Sequence, residues 1–427
     1  MTKEQKDCDC TPRLRFPEFV GGKKWRKISL GELADRNIRW SFSGGPFGSN
    51  LKSSDYTESG IRIIQLQNIG DSCFLDNYKI FTSKQKADEL LSCNIYPGEI
   101  ILAKMGDPVA RSCIVPTTEE RYLMCSDGIR LVVDKNNYSS TFTFYLINSK
   151  YFRKKAEEKS TGSTRKRIGL DELKSIPILI PILQEQQKIA RCLSSLDDLI
   201  EVHEQKLDAL QRHKKGMMQR LFPAEGETTP RWRFPEFRHA GEWEKRVLKE
   251  HCHVITGGTP SRTKENYWNG NIPWISSRHI SDMHTILGNE YISKEGLENS
   301  STNIIPKNSI LLVTRVSVGK YTITSFDIAI NQDITALIPY DINYKFLFFY
   351  SEILAKMIKN SAVGTGVVGV SQSFFDRISI YCPNSLEQQK IADCLFALDE
   401  YIKAQEKKIA ALKEHKKGLM QQLFPSL

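Results

Sequence analysis

Two stretches of this chain, offset by 202 residues, are nearly the same sequence. Glu185 to Pro223 reads EQQKIARCLSSLDDLIEVHEQKLDALQRHKKGMMQRLFP, and Glu387 to Pro425 reads EQQKIADCLFALDEYIKAQEKKIAALKEHKKGLMQQLFP. They agree at 24 of 39 aligned positions. Repetition at this domain-sized period implies one plan written twice, a globular body followed by a long helix. A second echo agrees: Thr11–Phe19 reads TPRLRFPEF and Thr229–Phe237 reads TPRWRFPEF, each followed by a tryptophan, Trp25 and Trp243. Between the echoes only short pieces align, such as IRIIQLQNIGD from Ile61 with IPWISSRHISD from Ile272. The halves therefore share a fold and a helix and differ in their bodies.

At 427 residues the chain is too long for one ordinary core. The repeats divide it into an arm (1–22), a first body (23–181), a helix (182–223), a connector (224–242), a second body (243–383) and a second helix (384–427). Within each body, short β-rich runs are bounded by Gly, Pro, Asn and Asp, which reads as strands and turns. In the first body these are Ile61–Leu66, Glu99–Ala103, Ile129–Val133 and Ile176–Ile180. In the second they are Ile272–Ser276, Ser309–Thr314, Ile334–Pro339 and Ile378–Tyr381. One helix is predicted per body, Phe142–Glu158 and Asn343–Lys359, so each body is a mixed α+β unit.

The repeated helices carry a heptad seam, at Ile189, Leu193, Leu196, Ile200, Leu207 and Leu210, and at Ile391, Leu395, Leu398, Ile402, Ile409 and Leu412. His203 and Gln405 interrupt it at matching places, as polar residues that set register do. Each helix would be about 55 Å long at the α-helical rise. A seam of that length needs a partner, and the other copy in the same chain is the obvious one. Antiparallel pairing is expected, giving a pseudo-two-fold coiled coil; the alternative is a dimerisation device between chains. Cys192 and Cys394 fall at the same helix position, which suggests a small buried thiol.

The net charge is +10. Each repeated helix carries seven Lys/Arg against six Asp/Glu, so most of the excess lies on the bodies and ends. Basicity of this kind points to an acidic partner, nucleic acid above all, against the plainer reading of a solvated basic surface. There is no apolar run long enough for a membrane span and no secretory leader, so a cytoplasmic location is expected. The ten cysteines form no CxxC pair, and His251-Cys252-His253 lacks a second ligand pair, so no metal site is expected. Phosphate-loop, HExxH, GxSxG and GxGxxG motifs are absent, and no catalytic residue is assigned. Gly44-Gly45-Pro46-Phe47-Gly48 reads as a tight turn.

Candidate nucleic-acid contacts are the basic, hydroxyl-rich loop Ser163, Thr164, Arg165, Lys166 and Arg167, together with Lys104. The matching loop of the second half, Val363–Ser371, is uncharged. There the candidates are Arg262, Lys264, Arg278, Arg315 and Lys320. Tyr267 and Trp268 beside them are groove-facing residues or core.

The duplicated EQQKIA…HKKG(L/M)MQ(Q/R)LFP helix, the paired TPRxRFPEF motifs, GGPFGSN from Gly44, and GGTPS…YW…IPWIS from Gly257 resemble the DNA-specificity subunits of type I restriction-modification systems. The resemblance covers essentially the whole chain. It implies two target recognition domains, each reading half of a split, asymmetric site in double-stranded DNA. It implies two helices packed antiparallel, acting as a spacer and docking two methyltransferase subunits, with motor-nuclease restriction subunits in the full complex. S-adenosylmethionine, ATP and Mg2+ would then belong to the partner subunits and no cofactor to this chain. Rival readings are a coiled-coil scaffold without DNA affinity and a self-sufficient nuclease or methyltransferase.

Overall fold

The computed structural model describes residues 12–425 except 164, 225, 282–285, 287, 363–368 and 371. Its contacts divide the chain into two compact units: Met1–Glu204 with Lys408–Leu427, and Gln205–Lys407. The boundaries fall inside the two long helices, so each unit owns the first part of one helix and the last part of the other.

In the first unit the strands are β1 (Arg26–Ser29), β2 (Phe42–Gly44), β3 (Tyr56–Thr57), β4 (Ile61–Ile64), β5 (Ile80–Thr82), β6 (Asn94–Ile95), β7 (Ile100–Ala103), β8 (Ser112–Ile114), β9 (Tyr122–Met124), β10 (Gly128–Leu131) and β11 (Pro177–Ile180). The helices are α1 (Lys84–Glu89), α2 (Ser140–Ile147), α3 (Lys150–Glu158), α4 (Leu170–Lys174) and the long α5 (Leu183–Leu221). The strands form sheets ordered β2-β10-β7-β8 and β3-β5-β4-β9-β6, with a separate pair β1-β11.

The second unit repeats this with β12 (Glu244–Val247), β13 (Cys252–Thr256), β14 (Ile272–Ile275), β15 (Glu290–Ile292), β16 (Asn303–Ile305), β17 (Ile310–Val313), β18 (Tyr321–Ile323), β19 (Ile328–Ile330), β20 (Ile334–Pro339) and β21 (Ser379–Cys382). Its helices are α6 (Lys294–Glu298), α7 (Tyr344–Ser361), α8 (Gln372–Arg377) and the long α9 (Ser385–Leu423). Its sheets run β13-β20-β17-β18 and β15-β14-β19-β16, with the pair β12-β21. Apart from the extra edge strand β3 in the first unit, the topology is common to both, down to one parallel pair in each, β4 with β9 and β14 with β19.

One expected helix is divided. Phe142–Glu158 is two helices, because the Ser149 hydroxyl accepts from the Phe152 amide and caps a new start, while the Asn148 side chain donates to the Phe144 carbonyl. In the second unit α7 runs unbroken behind an Asn343 cap that accepts from the amides of Lys345 and Phe346.

The long helices finish the cores. In the first unit Ile189 and Leu193 of α5, with Leu423 and Phe424 at the end of α9, pack with Trp25 and Phe142; Phe142 and Phe424 rings lie 5.5 Å apart. In the second, Ile391 and Leu395 of α9, with Leu221 and Phe222 at the end of α5, pack with Trp243 and Phe346; Phe222 and Phe346 lie 5.4 Å apart. Within each unit the two helical stretches run antiparallel. Asp197 meets Lys416 and Glu204 meets Lys413 in the first; Lys214 meets Asp399, and Lys206 sits over Tyr401, in the second.

The seam positions accordingly have two environments. Ile189, Leu193, Ile391 and Leu395 are buried in the α/β cores. Ile200, Ile402 and Ile409 are also buried, while Leu196, Leu207, Leu210, Leu398 and Leu412 are half-buried. Gln405 is buried and His203 half-buried. Cys192 and Cys394 are half-buried rather than enclosed, because they lie beside the buried stripe and not on it.

Candidate nucleic-acid interface

In each unit the loops that leave the parallel strand pair gather at its carboxyl end, where α/β sheets commonly bind ligands. Beyond β9 the Cys125 amide donates to the Ile64 carbonyl at 3.0 Å, and the Lys104 amide beyond β7 donates to the Asp127 carbonyl at 2.7 Å. The second unit repeats both bonds, Asn331 to Ile275 at 2.9 Å and Thr314 to Asp333 at 2.8 Å. The glycine that follows β2 or β13 is needed here for close approach. A Cβ on Gly45 would lie 1.7 Å from the Cys125 carbonyl oxygen, and one on Gly257 1.9 Å from that of Ile330. The GGPFG segment thus serves as a strand-end crossing.

The loop after α3 folds onto this edge. Ile168 donates to the Lys104 carbonyl at 3.0 Å, Gly106 to that of Lys166 at 3.1 Å, and the Arg167 guanidinium lies 3.3 Å from Asp127. Lys104, Lys166 and Arg167 are therefore brought together, with Lys166 bridged to Glu157. Ser163 and Arg165 are exposed on the same loop, and Thr164 lies outside the described residues. In the second unit the corresponding attachment is Val370 to Thr314 at 3.2 Å. Most of the uncharged loop, residues 363–368 and 371, lies outside the described residues.

The second unit's basic candidates separate into groups. Arg262 stacks on Trp268, 3.5 Å from the ring centroid, and bridges Glu290 at 2.5 Å; Arg278 bridges the other Glu290 oxygen. Those guanidinium groups, Arg262 foremost, hold the Glu290 carboxyl below the usual carboxylate range. His279, 4.0 Å from Glu290, is pushed below the usual imidazole range by burial and by Arg278. Arg315 is exposed beyond β17, Lys320 donates to the Ile280 carbonyl at 3.2 Å, and Lys264 is engaged with the Tyr267 hydroxyl at 2.9 Å. Tyr267 is buried, hence core, and Trp268 is half-buried beneath Arg262.

Sequence reasoning passed over Glu290, which organises two of the arginines from 28 and 12 residues away. It also passed over Phe47, 82% exposed, and the Thr259–Gln332 hydrogen bond of 2.7 Å. Asp127 and Asp333 had a usable signal, since each follows a short buried strand by the same interval. His251 is bonded to Asp341 at 2.8 Å and Cys252 is buried. Among the described residues no three His, Cys, Asp or Glu side chains are grouped as a metal would require, and no helix is long and apolar enough to cross a membrane.

The profile of the type I restriction modification DNA specificity domain matches this sequence twice, over residues 23–212 and 240–414. The chain belongs to that family. Relatives among type I specificity subunits span nearly all of it. The putative MjaX specificity subunit of Methanocaldococcus jannaschii is 24% identical over 426 residues, covering 95% of this chain and 97% of its own. The HindI specificity subunit of Haemophilus influenzae is 23% identical over 434 residues, covering 84% and 90%. In fold the chain resembles the crystal structure of the type I restriction-modification S subunit from M. genitalium, with a TM-score of 0.60, 18% identity, and coverage of 98% of this chain and 100% of that one. The type I specificity fold thus accounts for the two tandem mixed α/β bodies, the 39-residue helix between them and the equal helix at the end.

Proposed function

We propose that this chain is the DNA-recognition subunit of a type I restriction-modification complex, reading a bipartite, asymmetric site with one α/β body per half. The observation that carries this is the contrast inside a duplicated plan. The helices and the core-closing contacts are the same in both units, whereas the loops at the sheet edges differ in charge and side-chain chemistry. Equal helices suit two copies of one partner, and unequal loop faces suit two different half-sites.

On this reading the helices dock two methyltransferase subunits, restriction subunits complete the assembly, and the complex works in the cytoplasm. The chain performs no bond chemistry. S-adenosylmethionine, ATP and Mg2+ act in the partner subunits, and the target adenine is turned out of the duplex to reach the methyltransferase. Arg165, Lys166, Arg167 and Lys104 in one unit, and Arg262, Lys264, Arg278, Arg315 and Lys320 in the other, supply phosphate and base-edge contacts. The helix seam holds the spacer between the half-sites.

The test is genome-wide adenine methylation in cells expressing this chain with its cognate methyltransferase. The expected result is one new two-part motif, methylated once on each strand and absent without the chain. No new motif, with a methyltransferase shown to be active alongside another specificity subunit, would defeat the proposal.

A further inference from the structure

Sheet register aligns the two units residue by residue. Ile64 pairs with Met124 as Ile275 pairs with Ile330; Ala103 lies opposite Gly128 as Val313 lies opposite Ile334; Gly44 lies opposite Ile129 as Thr256 lies opposite Thr335. Counting onward from these anchors, four positions beyond the strand ends correspond. They hold Phe47, Gln67, Met105 and Ser126 in the first unit, and Thr259, Arg278, Arg315 and Gln332 in the second.

The backbone around them is held by the same hydrogen bonds in both units, from Lys104 to Asp127 and from Thr314 to Asp333. The side chains share no chemistry. All but Met105, which is half-buried, are exposed, Phe47 by 82%. The backbone at this edge is held the same way in both units although the four side chains it carries are unlike, so their identities are not what keeps the edge in place. Phe47, 82% exposed beside a strand end, presents its ring to whatever lies against that edge.

We propose that these four positions in each unit set the sequence of its half-site, a refinement that rests on the DNA-recognition reading above. In the second unit the decisive group is Gln332. The Thr259 hydroxyl donates to its Oε1 at 2.7 Å, which orients the amide and leaves Nε2 to donate and the second Oε1 lone pair to accept. That is the donor–acceptor pair that matches N7 and the N6 amino group of adenine in the major groove. Arg315 beside it supplies a fork for guanine or phosphate. In the first unit the same places hold Phe47 and Ser126, whose apolar face and single hydroxyl suit a thymine methyl and a less exacting contact.

The experiment uses the full chain assembled with its methyltransferase, with the methylated motif read genome-wide. Gln332→Leu should make one position of one half-site degenerate, lowering discrimination there about 10- to 100-fold, with the other half unchanged. Gln332→Glu should move preference at that same position toward cytosine, whose amino group a carboxylate accepts. Phe47→Ala should relax a position in the opposite half only. Lys294→Ala, on α6, serves as an unaltered control. The inference is overturned if both Gln332 variants leave every position of the motif as it was, or if both weaken all sequences equally while the complex still assembles. Failure of the unaltered complex to methylate any bipartite motif would instead sink the recognition reading itself.

Discussion

Arg15 grips Glu185 with two hydrogen bonds, 2.9 Å from Nε and 2.6 Å from the terminal nitrogen, across 170 residues of sequence. Arg233 holds Glu387 in the same way across 154 residues. The two repeated motifs, RFPEF and EQQKIA, are therefore halves of one joint. The first glutamine of each EQQ is used as well. Gln186 accepts from the Ser139 amide and donates to the Pro181 carbonyl, and Gln388 does the same with Asn343 and Pro383. The Glu185 side chain is 1% exposed, and the bond to it raises the Arg15 pKa above its ordinary value.

Arg15→Ala should cost the first unit about 3 kcal/mol, because it strands a buried carboxylate. Arg15→Lys should restore only part of this, since an ammonium cannot form the two-pronged bridge. Amide hydrogen exchange in β1 and β11 measures the loss. Unchanged protection would show that the joint is ornamental.

Phe424→Ala should loosen the first unit and Phe222→Ala the second, each by about 3–5 kcal/mol for a large ring removed from a core. Each phenylalanine stands at the end of a helix whose other end is rooted in the opposite unit's core. Exchange rates resolved by peptide would decide it. Loosening of the first unit by Phe222→Ala would contradict the assignment.

Lys214→Met and Lys413→Ala should behave differently. Lys214 and Asp399 are 12% and 4% exposed, and removing the ammonium from this buried pair should cost about 3 kcal/mol. Lys413 and Glu204 are 58% and 47% exposed, so that loss should stay under about 1 kcal/mol and vanish in high salt. Denaturant midpoints at low and high salt separate the two.

Alkaline pH should destabilise the protein through its buried thiols. Burial pushes Cys113, Cys252 and Cys382 up to about 12 and Cys125 up to about 11. Their folded values exceed the unfolded one, so the folded state keeps protons that the unfolded chain releases. Stability should be level below about pH 8 and fall as pH climbs past 9 toward 12. Thiol labelling of the folded protein at pH 8 should reach exposed Cys73 well before these four. Equal labelling would refute their enclosure.

Arg165→Ala should weaken binding of the assembled complex to all DNA sequences alike and reduce the salt slope by about 1, as for a lost phosphate contact. A change confined to one base pair would make it a base reader instead.

The repeat, the α+β character of the bodies and the limits of the long helices were legible because they rest on local regularities: heptad spacing, turn residues, and prolines at Pro181, Pro223, Pro383 and Pro425. The sequence by itself also determined that two unequal bodies are joined to equal helices, since 24 of 39 helix positions agree while the bodies scarcely align. Only the tertiary structure decided what the repeated residues do. Ile189 and Leu193 read as seam, yet they close a core together with Leu423 and Phe424, and a heptad pattern carries no information about which apolar surface will cover it. The basic candidates were found by composition, but Glu290 binding both Arg262 and Arg278 depends on the pairing of β14 with β15, and Thr259 orienting Gln332 on strands brought together across 73 residues. Such contacts arise from sheet register, which is set by the burial of whole faces at once and leaves no mark on any single stretch of sequence.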